Sequence, residues 1–369
     1  MTKIFICAGE ASGDYHGASL AKALFEQVPG VDIRGVGGAG MAREGVALSA
    51  DIRRLGVMGL VELLPRLVDI LRVKSQVEAE IAAWRPDAVV FIDFPGFNMR
   101  LALYCRRIGV RTVYFIPPKV WAWRQGRVRQ LARDIDQMLV IFPFEADFYA
   151  SHGLRAEYVG NPLLDGCTRQ ARRSSGDHPV IGLVPGSRRG EVNRLLPPML
   201  DAVRRLRKTY PHARYLLPVA SSVDQAFFAD AVTLGVELEQ RPLPEVLADC
   251  DFAWVASGTA SLEAALVEVP MVVVYRLHPV SLAVGKAFVK LSHFSLPNIL
   301  AGREVVPELL QNEVNGERLA EEAVRILEHP EARQAVQSEL RHLRRMLGEP
   351  GAAERAAGAI VRDLEVGVR

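Results

Sequence analysis

Short, almost unbroken apolar runs recur along the chain. Each stops abruptly at Gly, Pro, Ser or Asp and gives way to a stretch whose apolar positions fall three or four residues apart. Runs that are apolar on both faces are the mark of buried parallel strands, and the stretches between them carry the period of amphipathic helices. In the first half the pattern predicts strands over Ile4–Ala8, Asp32–Val36, Ala88–Ile92, Thr112–Ile116 and Gln137–Phe142. In the second half it predicts a strand opening at Val180, then strands over Ala213–Pro218, Val236–Leu238, Phe252–Ala256 and Met271–Tyr275. Helices are expected over Ala18–Gln27, Gly316–Glu328, Pro330–Leu347 and Ala352–Val366. Alternating strand and helix predicts an α/β fold of two doubly wound domains. Their boundaries are read as 1–166, a polar linker at 167–178, a second domain at 179–347, and a helical tail at 348–369 packing back towards the first domain.

The chemistry gathers where strands end. Val180–Val192 reads as a strand, a tight turn at Pro185-Gly186-Ser187 and a helix start. A helix N-terminus leaves backbone N–H groups free at the positive end of its dipole, which suits a phosphate. Arg188 and Arg189 add guanidinium donors, although an ordinary solvated turn fits the triplet as well. A second helix start, Ala256-Ser257-Gly258-Thr259-Ala260-Ser261-Leu262-Glu263, follows another buried strand. Two such starts in one domain favour a nucleotide diphosphate, with Glu263 able to accept from a ribose diol. No GxxxxGK[ST] occurs, so the P-loop class is excluded. In the first domain, Glu10, Ser12 and Asp14 lie in the loop after the first strand, as ligand contacts or as helix caps. Asp93 closes the Ala88–Ile92 strand, where α/β enzymes place catalytic groups; it could serve as a general base, a cap or a loop anchor.

Two further stretches carry apolar and basic character. Leu60, Leu63, Leu64, Leu67, Val68 and Leu71 share one helical face, with Pro65 marking a break or a start. That face either packs on the domain core or dips into a membrane or acyl chain. From Lys119 to Arg133 five bases occur without an acid, around Trp121 and Trp123, with Arg124 adjoining. The mixture suits nucleic-acid bases, a headgroup boundary or a sugar phosphate.

Composition narrows the choice. A net charge of +2 over 369 residues argues against a dedicated nucleic-acid binder. Four distant cysteines without a CxxC pair fit reduced thiols. The apolar run Ile4–Ala8 is too short for a signal peptide, and no window approaches the ~18 apolar residues of a membrane span, so a cytoplasmic location is expected.

These residues resemble the lipid-A-disaccharide synthase family. The likeness is carried by AGEASGD at 8–14, VMGLVE at 57–62, IDFPGFN at 92–98, PKVWAWRQ at 118–125, PFEADFY at 143–149, PGSRRGEV at 185–192, ASGTASLE at 256–263 and SLPNILAGRE at 295–304. The resemblance implies GT-B architecture, two Rossmann-like domains facing across a cleft, and inverting transfer that needs neither metal nor cofactor. It implies UDP-2,3-diacylglucosamine as donor and the 6-hydroxyl of 2,3-diacylglucosamine 1-phosphate as acceptor. Asp93 would then be the base and Arg188 the group that meets charge on departing UDP. Ser187, Ser257, Gly258, Thr259 and Glu263 would hold the nucleotide, Asn298 would line the cleft, and Glu10 and Ser12 would sit opposite. Leu60, Leu63, Leu64, Leu67 and Leu71, with Trp121, Trp123 and Arg124, would meet acyl chains at the inner face of the inner membrane. No nucleic-acid partner is expected, and a homodimer is compatible with this picture. Two positions depart from many relatives: Lys119 stands where a small polar residue is usual, and Asn161 precedes Pro162 where a histidine is usual. Another UDP-sugar enzyme, an epimerase or a peptidoglycan-type transferase, and a catalytically silent membrane-associated protein are the competing readings.

Overall fold

The apolar runs become the strands of two wholly parallel sheets in the computed structural model, which describes residues 1–51, 63–122, 125–167, 178–219, 223–277 and 292–367. The first sheet contains β1 (Lys3–Ala8), β2 (Asp32–Gly37), β3 (Ala47–Asp51), β4 (Ala88–Ile92), β5 (Arg111–Phe115), β6 (Gln137–Val140) and β7 (Ala156–Tyr158), in the order β3-β2-β1-β4-β5-β6-β7. The second contains β8 (Val180–Val184), β9 (Arg214–Pro218), β10 (Glu237–Glu239), β11 (Phe252–Ala256), β12 (Met271–Tyr275) and β13 (Glu308–Leu310), in the order β10-β9-β8-β11-β12-β13. Both follow the dinucleotide-type winding in which the chain starts centrally, runs to one edge, then returns and builds the other. The chain divides into two compact units, Met1–Pro162 with Glu349–Arg369, and Leu163–Gly348.

In the first unit the strand pleat sorts side chains cleanly. Phe5, Cys7, Val89 and Phe91 face a layer with Val77, Ile81 and Leu101. Ile4, Ile6, Ala8, Val90 and Ile92 face the opposite layer with Leu20, Leu24, Ala356 and Ile360. All nine strand residues are fully buried, and each buried aliphatic side chain contributes about 1.5–3 kcal/mol. The tail helix Ala352–Gly367 therefore completes the layer begun by the helix Ala11–Gln27, and Gln27 Nε2 donates to the Glu354 carbonyl at 2.9 Å. Asp363, 4% exposed, anchors it through ion pairs to Arg155 at 2.5 Å and Arg111 at 3.1 Å. In the second unit one face of the sheet carries a core of Ile181, Leu183, Val192, Met199, Trp254 and Val274 beneath the helices Arg189–Thr209 and Gly316–Glu328, and Ala253, Val255, Val273, Leu262 and Leu266 are buried outside it.

Three strands escape the sequence pattern: β3, β7 and β13 all lie at sheet edges, and β7 and β13 are only three residues long. An edge strand has a neighbour on one side only and needs no continuous apolar run. The short helix Leu163–Gly166 falls in the second unit, where Leu164 and Cys167 are buried and Cys167 O accepts from Arg344 Nη1 at 3.0 Å. The first helix begins at Ala11, earlier than its apolar period shows. Leu63–Trp84 is one helix, with Pro65 in its first turn, where the missing N–H costs nothing. Leu60, Trp123, Arg124 and residues 168–177 of the expected linker lie outside the described residues, as do the side chains of Leu63, Leu64 and Leu67.

Candidate active site

In a doubly wound sheet the connections from the two central strands leave in opposite directions, opening a crevice at their carboxyl ends. In the first sheet those strands are β1 and β4. Ala8 and Ile92 are paired in register, so Gly9-Glu10 and Asp93-Phe94 emerge side by side. In the second sheet they are β8 and β11; Val184 pairs with Val255, which brings the Gly186–Arg188 turn beside Ser257–Thr259. Every candidate catalytic and nucleotide-contacting residue read from the sequence, apart from Asn298, thus belongs to one of two crossover points.

Asp93 is held in an unusual backbone. Asp93 and Phe94 have φ of +43° and +48°, left-handed values that cost a non-glycine residue about 1–2 kcal/mol each. Fixed donors and acceptors hold the arrangement. Tyr114 Oη donates to Asp93 O at 2.7 Å, Asn98 Nδ2 donates to the same carbonyl at 2.7 Å, and the Asp93 N–H reaches Ile116 O at 3.3 Å. Phe94 lies over the β1 loop, and a Cβ on Gly9 would come 2.1 Å from Phe94 Cδ1. Glycine is required there by close approach. Burial pushes the Asp93 carboxyl above the usual carboxylate range, partly offset by the Phe94 N–H and by the Lys119 ammonium. A carboxylate so placed binds a proton more readily than one in water, as a general base must.

Lys119 completes a buried charge cluster. Burial lowers its proton affinity, while Glu145 and Asp93 raise it. Glu145 accepts from Trp121 Nε1 at 2.8 Å, Phe142 N at 3.0 Å and Ile141 N at 3.2 Å, yet burial still lifts its carboxyl to about 7. Trp121 is 8% exposed and packs edge-on against Phe144, so its ring is committed to this cluster and away from the surface. The charge that departs from the family pattern at Lys119 is therefore favoured by the nearby Glu145 and Asp93 carboxyls. Asn161, fully buried, donates from Nδ2 to Ile141 O at 3.2 Å.

Asp14, in the first turn of the helix Ala11–Gln27, caps the start of the next helix, Ala39–Arg43, accepting from Gly38 N at 2.7 Å, Gly40 N at 2.9 Å and Met41 N at 3.0 Å. Glu10 stands at the N-cap of Ala11–Gln27 without a side-chain cap bond, and both Glu10 and Ser12 are exposed.

In the second unit Gly186 has φ of +106°, and a Cβ there would meet Glu191 Oε2 at 2.4 Å. Arg188 is the N-cap of Arg189–Thr209, caps nothing with its side chain, and is 79% exposed while pairing with Glu191 at 3.0 Å. Arg189 turns away and stacks over Phe227 at 4.5 Å from the ring centroid. Ser187, Gly258 and Thr259 are exposed. Gly258, at φ +142°, precedes the helix Thr259–Leu266. Ser257 Oγ donates to Phe294 O at 3.0 Å, and burial raises the Glu263 carboxyl to about 7. Asn298 is fully buried, its Nδ2 donating to Val306 O at 2.8 Å and its Oδ1 accepting from Val305 N and Val306 N at 2.8 and 3.0 Å. It anchors the 305–306 backbone, where the resemblance implied a residue lining the cleft.

Sequence reasoning passed over Asn98 and Tyr114. Asn98 lies within the IDFPGFN motif, a polar residue on an otherwise apolar helix face, which was the available signal. Tyr114 carried none, since a tyrosine in a buried strand reads as packing.

Two dinucleotide-type units, with helix N-termini and an arginine at one crossover and a partly buried carboxylate at the other, define a GT-B enzyme acting on nucleotide-linked sugars. The solved structure of the glycotransferase of kitacinnamycin is similar across 98% of both chains with a TM-score of 0.67, and at 17% identity that likeness bears on the fold alone. The family profile described as Lipid-A-disaccharide synthetase matches residues 4–360. Lipid-A-disaccharide synthases of Syntrophus aciditrophicus (41% identity, covering 96% of this chain and 96% of the relative) and Myxococcus xanthus (42%, covering 99% and 98%) align nearly end to end. The chain belongs to the lipid-A-disaccharide synthase family and is a glycosyltransferase of lipid A biosynthesis.

Proposed function

We propose that in this family's reaction Asp93 is the general base and Arg188 the group that stabilises the leaving nucleotide. The observation that carries this is the placement of both residues at sheet crossovers, each beside a second loop bearing ligand-type groups. Asp93 accepts the proton of the acceptor 6-hydroxyl as its oxygen attacks C1 of the donor sugar. The C1–O bond to UDP breaks with inversion, and negative charge grows on the diphosphate. The Arg188 guanidinium and the backbone N–H groups of its turn meet that charge, an interaction that strengthens in the transition state. An exposed pair such as Arg188–Glu191 is worth little, so a diphosphate competes for the arginine readily. Ser187, Ser257, Gly258 and Thr259 bind the phosphates, Glu263 accepts from the ribose diol, and Glu10 and Ser12 contact the acceptor.

The acylated substrates place the work at the inner face of the inner membrane. Among the described residues no helix is long and apolar enough to cross a membrane, and Leu71 is 49% exposed. A peripheral contact through the face around Leu60, Leu63, Leu64, Leu67 and Leu71, with Trp123 and Arg124, follows from that chemistry. Light scattering separates a monomer from a homodimer. The decisive experiment is mass analysis of the product from UDP-2,3-diacylglucosamine and 2,3-diacylglucosamine 1-phosphate. A disaccharide monophosphate with UDP release is expected; epimerised donor or unchanged substrates would refute the reading.

A further inference from the structure

We propose that Tyr114 and Asn98 are positioning residues for Asp93: phenol and amide both donate to the Asp93 carbonyl and lock the left-handed turn from which its carboxylate projects. The proposal rests on Asp93 as the base. A strand end would ordinarily continue in extended backbone. Here two successive non-glycine residues turn left-handed instead, and such strain persists only where the surroundings over-determine it. The restraints converge on one peptide group. Tyr114 comes from the neighbouring strand β5, is fully buried, and its hydroxyl reaches Asp93 O at 2.7 Å. Asn98 comes from the helix Pro95–Arg107 that the turn itself starts, and is also fully buried. Its Nδ2 reaches Asp93 O at 2.7 Å, Ile92 O at 3.2 Å and Cys7 O at 3.4 Å, so one amide ties the carboxyl ends of β1 and β4 to the turn.

This explains the fully buried hydroxyl on β5. Tyr114 stacks obliquely on Phe91, and phenylalanine would fill the same volume. The oxygen is used by the bond to Asp93 O and by a side-chain hydrogen bond with Asn98, the turn's other restraint. Neither residue supplies the charge that faces the carboxylate; Lys119, with Glu145 behind it, does so from the loop after β5. Cys7 and Tyr149 also lie near the phenol, and Tyr149 Oη donates to Pro118 O at 2.8 Å. Tyr114 and Asn98 set where the base sits, while Lys119 sets its charge environment.

Tyr114→Phe removes one hydroxyl and little volume, so it tests the proposal even if Asn98→Ala fails to fold. The expected result is a fall in kcat of at least tenfold with KM for both substrates changed less than twofold. The acid limb of the kcat profile should also move to lower pH, because a loosened carboxylate reaches water and its raised proton affinity relaxes. Each single variant is compared with Asp93→Asn and with the double variant Tyr114→Phe/Asp93→Asn. If Tyr114 acts through Asp93, the hydroxyl's removal costs nothing further once the base is gone. A residue needed for stability alone would lower the melting temperature, leave the pH limb in place and lower the residual rate equally in both backgrounds; that pattern overturns the proposal. Wild-type rates in Asp93→Asn would overturn the assignment of the base, a distinct failure.

Discussion

Glu263→Gln tests whether the second crossover holds a desolvated carboxyl awaiting a hydroxyl-bearing ligand. Burial raises the Glu263 carboxyl from 4.5 to about 7, and no countercharge among the described residues opposes it. The folded state therefore grips the proton more tightly than the unfolded chain does. The sign follows: stability from this group is present at low pH and is lost as pH rises from about 4.5 through about 7. At 1.36 kcal/mol per unit the loss is ~1 kcal/mol by pH 5 and ~3 kcal/mol by pH 8, a change of roughly 2 kcal/mol between them. Glutamine removes the titration and keeps the shape. Wild type should thus lose about 4–8 °C more in melting temperature than Glu263→Gln between pH 5 and pH 8, at ~2–4 °C per kcal/mol for a unit of this size. Glu145 titrates in both proteins and cancels in the difference. Thermal unfolding at the two pH values measures it, and repeating the scans with saturating UDP asks about function: the ligand's stabilisation should be smaller in the variant. Parallel melting profiles with an unchanged UDP shift would refute both the desolvated carboxyl and its role at the ribose.

Four other outcomes are expected. Asp93→Asn should lower kcat by about 10²–10⁴ while leaving UDP protection in thermal scans intact; in wild type the acid limb of kcat/KM should lie above the ordinary carboxylate range, because burial raises Asp93 and the base form is lost as pH falls, so a limb near the usual carboxylate value would contradict the assignment. Arg188→Ala should cost about 10²-fold in kcat with a smaller change in donor KM, and Arg188→Lys should recover only part, since the planar fork is lost. Gly9→Ala should destabilise by about 1–3 kcal/mol in denaturant titration, because the new Cβ enters the space of the Phe94 ring. Replacing Leu63, Leu64 and Leu67 by Ser should release the protein from anionic vesicles, and unchanged co-sedimentation would count against a membrane face there.

Much of this protein was legible in the chain itself. Buried parallel strands announce themselves as apolar runs because both faces are covered, which is why β1, β4, β8, β11 and β12 were found almost to the residue. Their loops were legible too, because glycines, small hydroxyls and charge stand out against such runs, and this exposed Asp93, Arg188 and the Ser257–Thr259 helix start. Edge strands β3, β7 and β13 were not, because pairing on one side demands little apolar sequence. Nor was the fate of Trp121 and Asn298. A tryptophan among bases reads as a headgroup or acyl contact and the family likeness made Asn298 a cleft-lining residue, whereas tertiary packing gives the indole to Glu145 and the amide to the 305–306 backbone. The sequence by itself determined the alternation, the strand-end motifs and the family. Only the fold decided that β1 adjoins β4 and β8 adjoins β11, because strand order is set by long-range pairing that no local pattern encodes. The left-handed turn at Asp93 belongs to that second class, since it exists only where Tyr114, Asn98 and Ile116 converge from separate elements upon one residue.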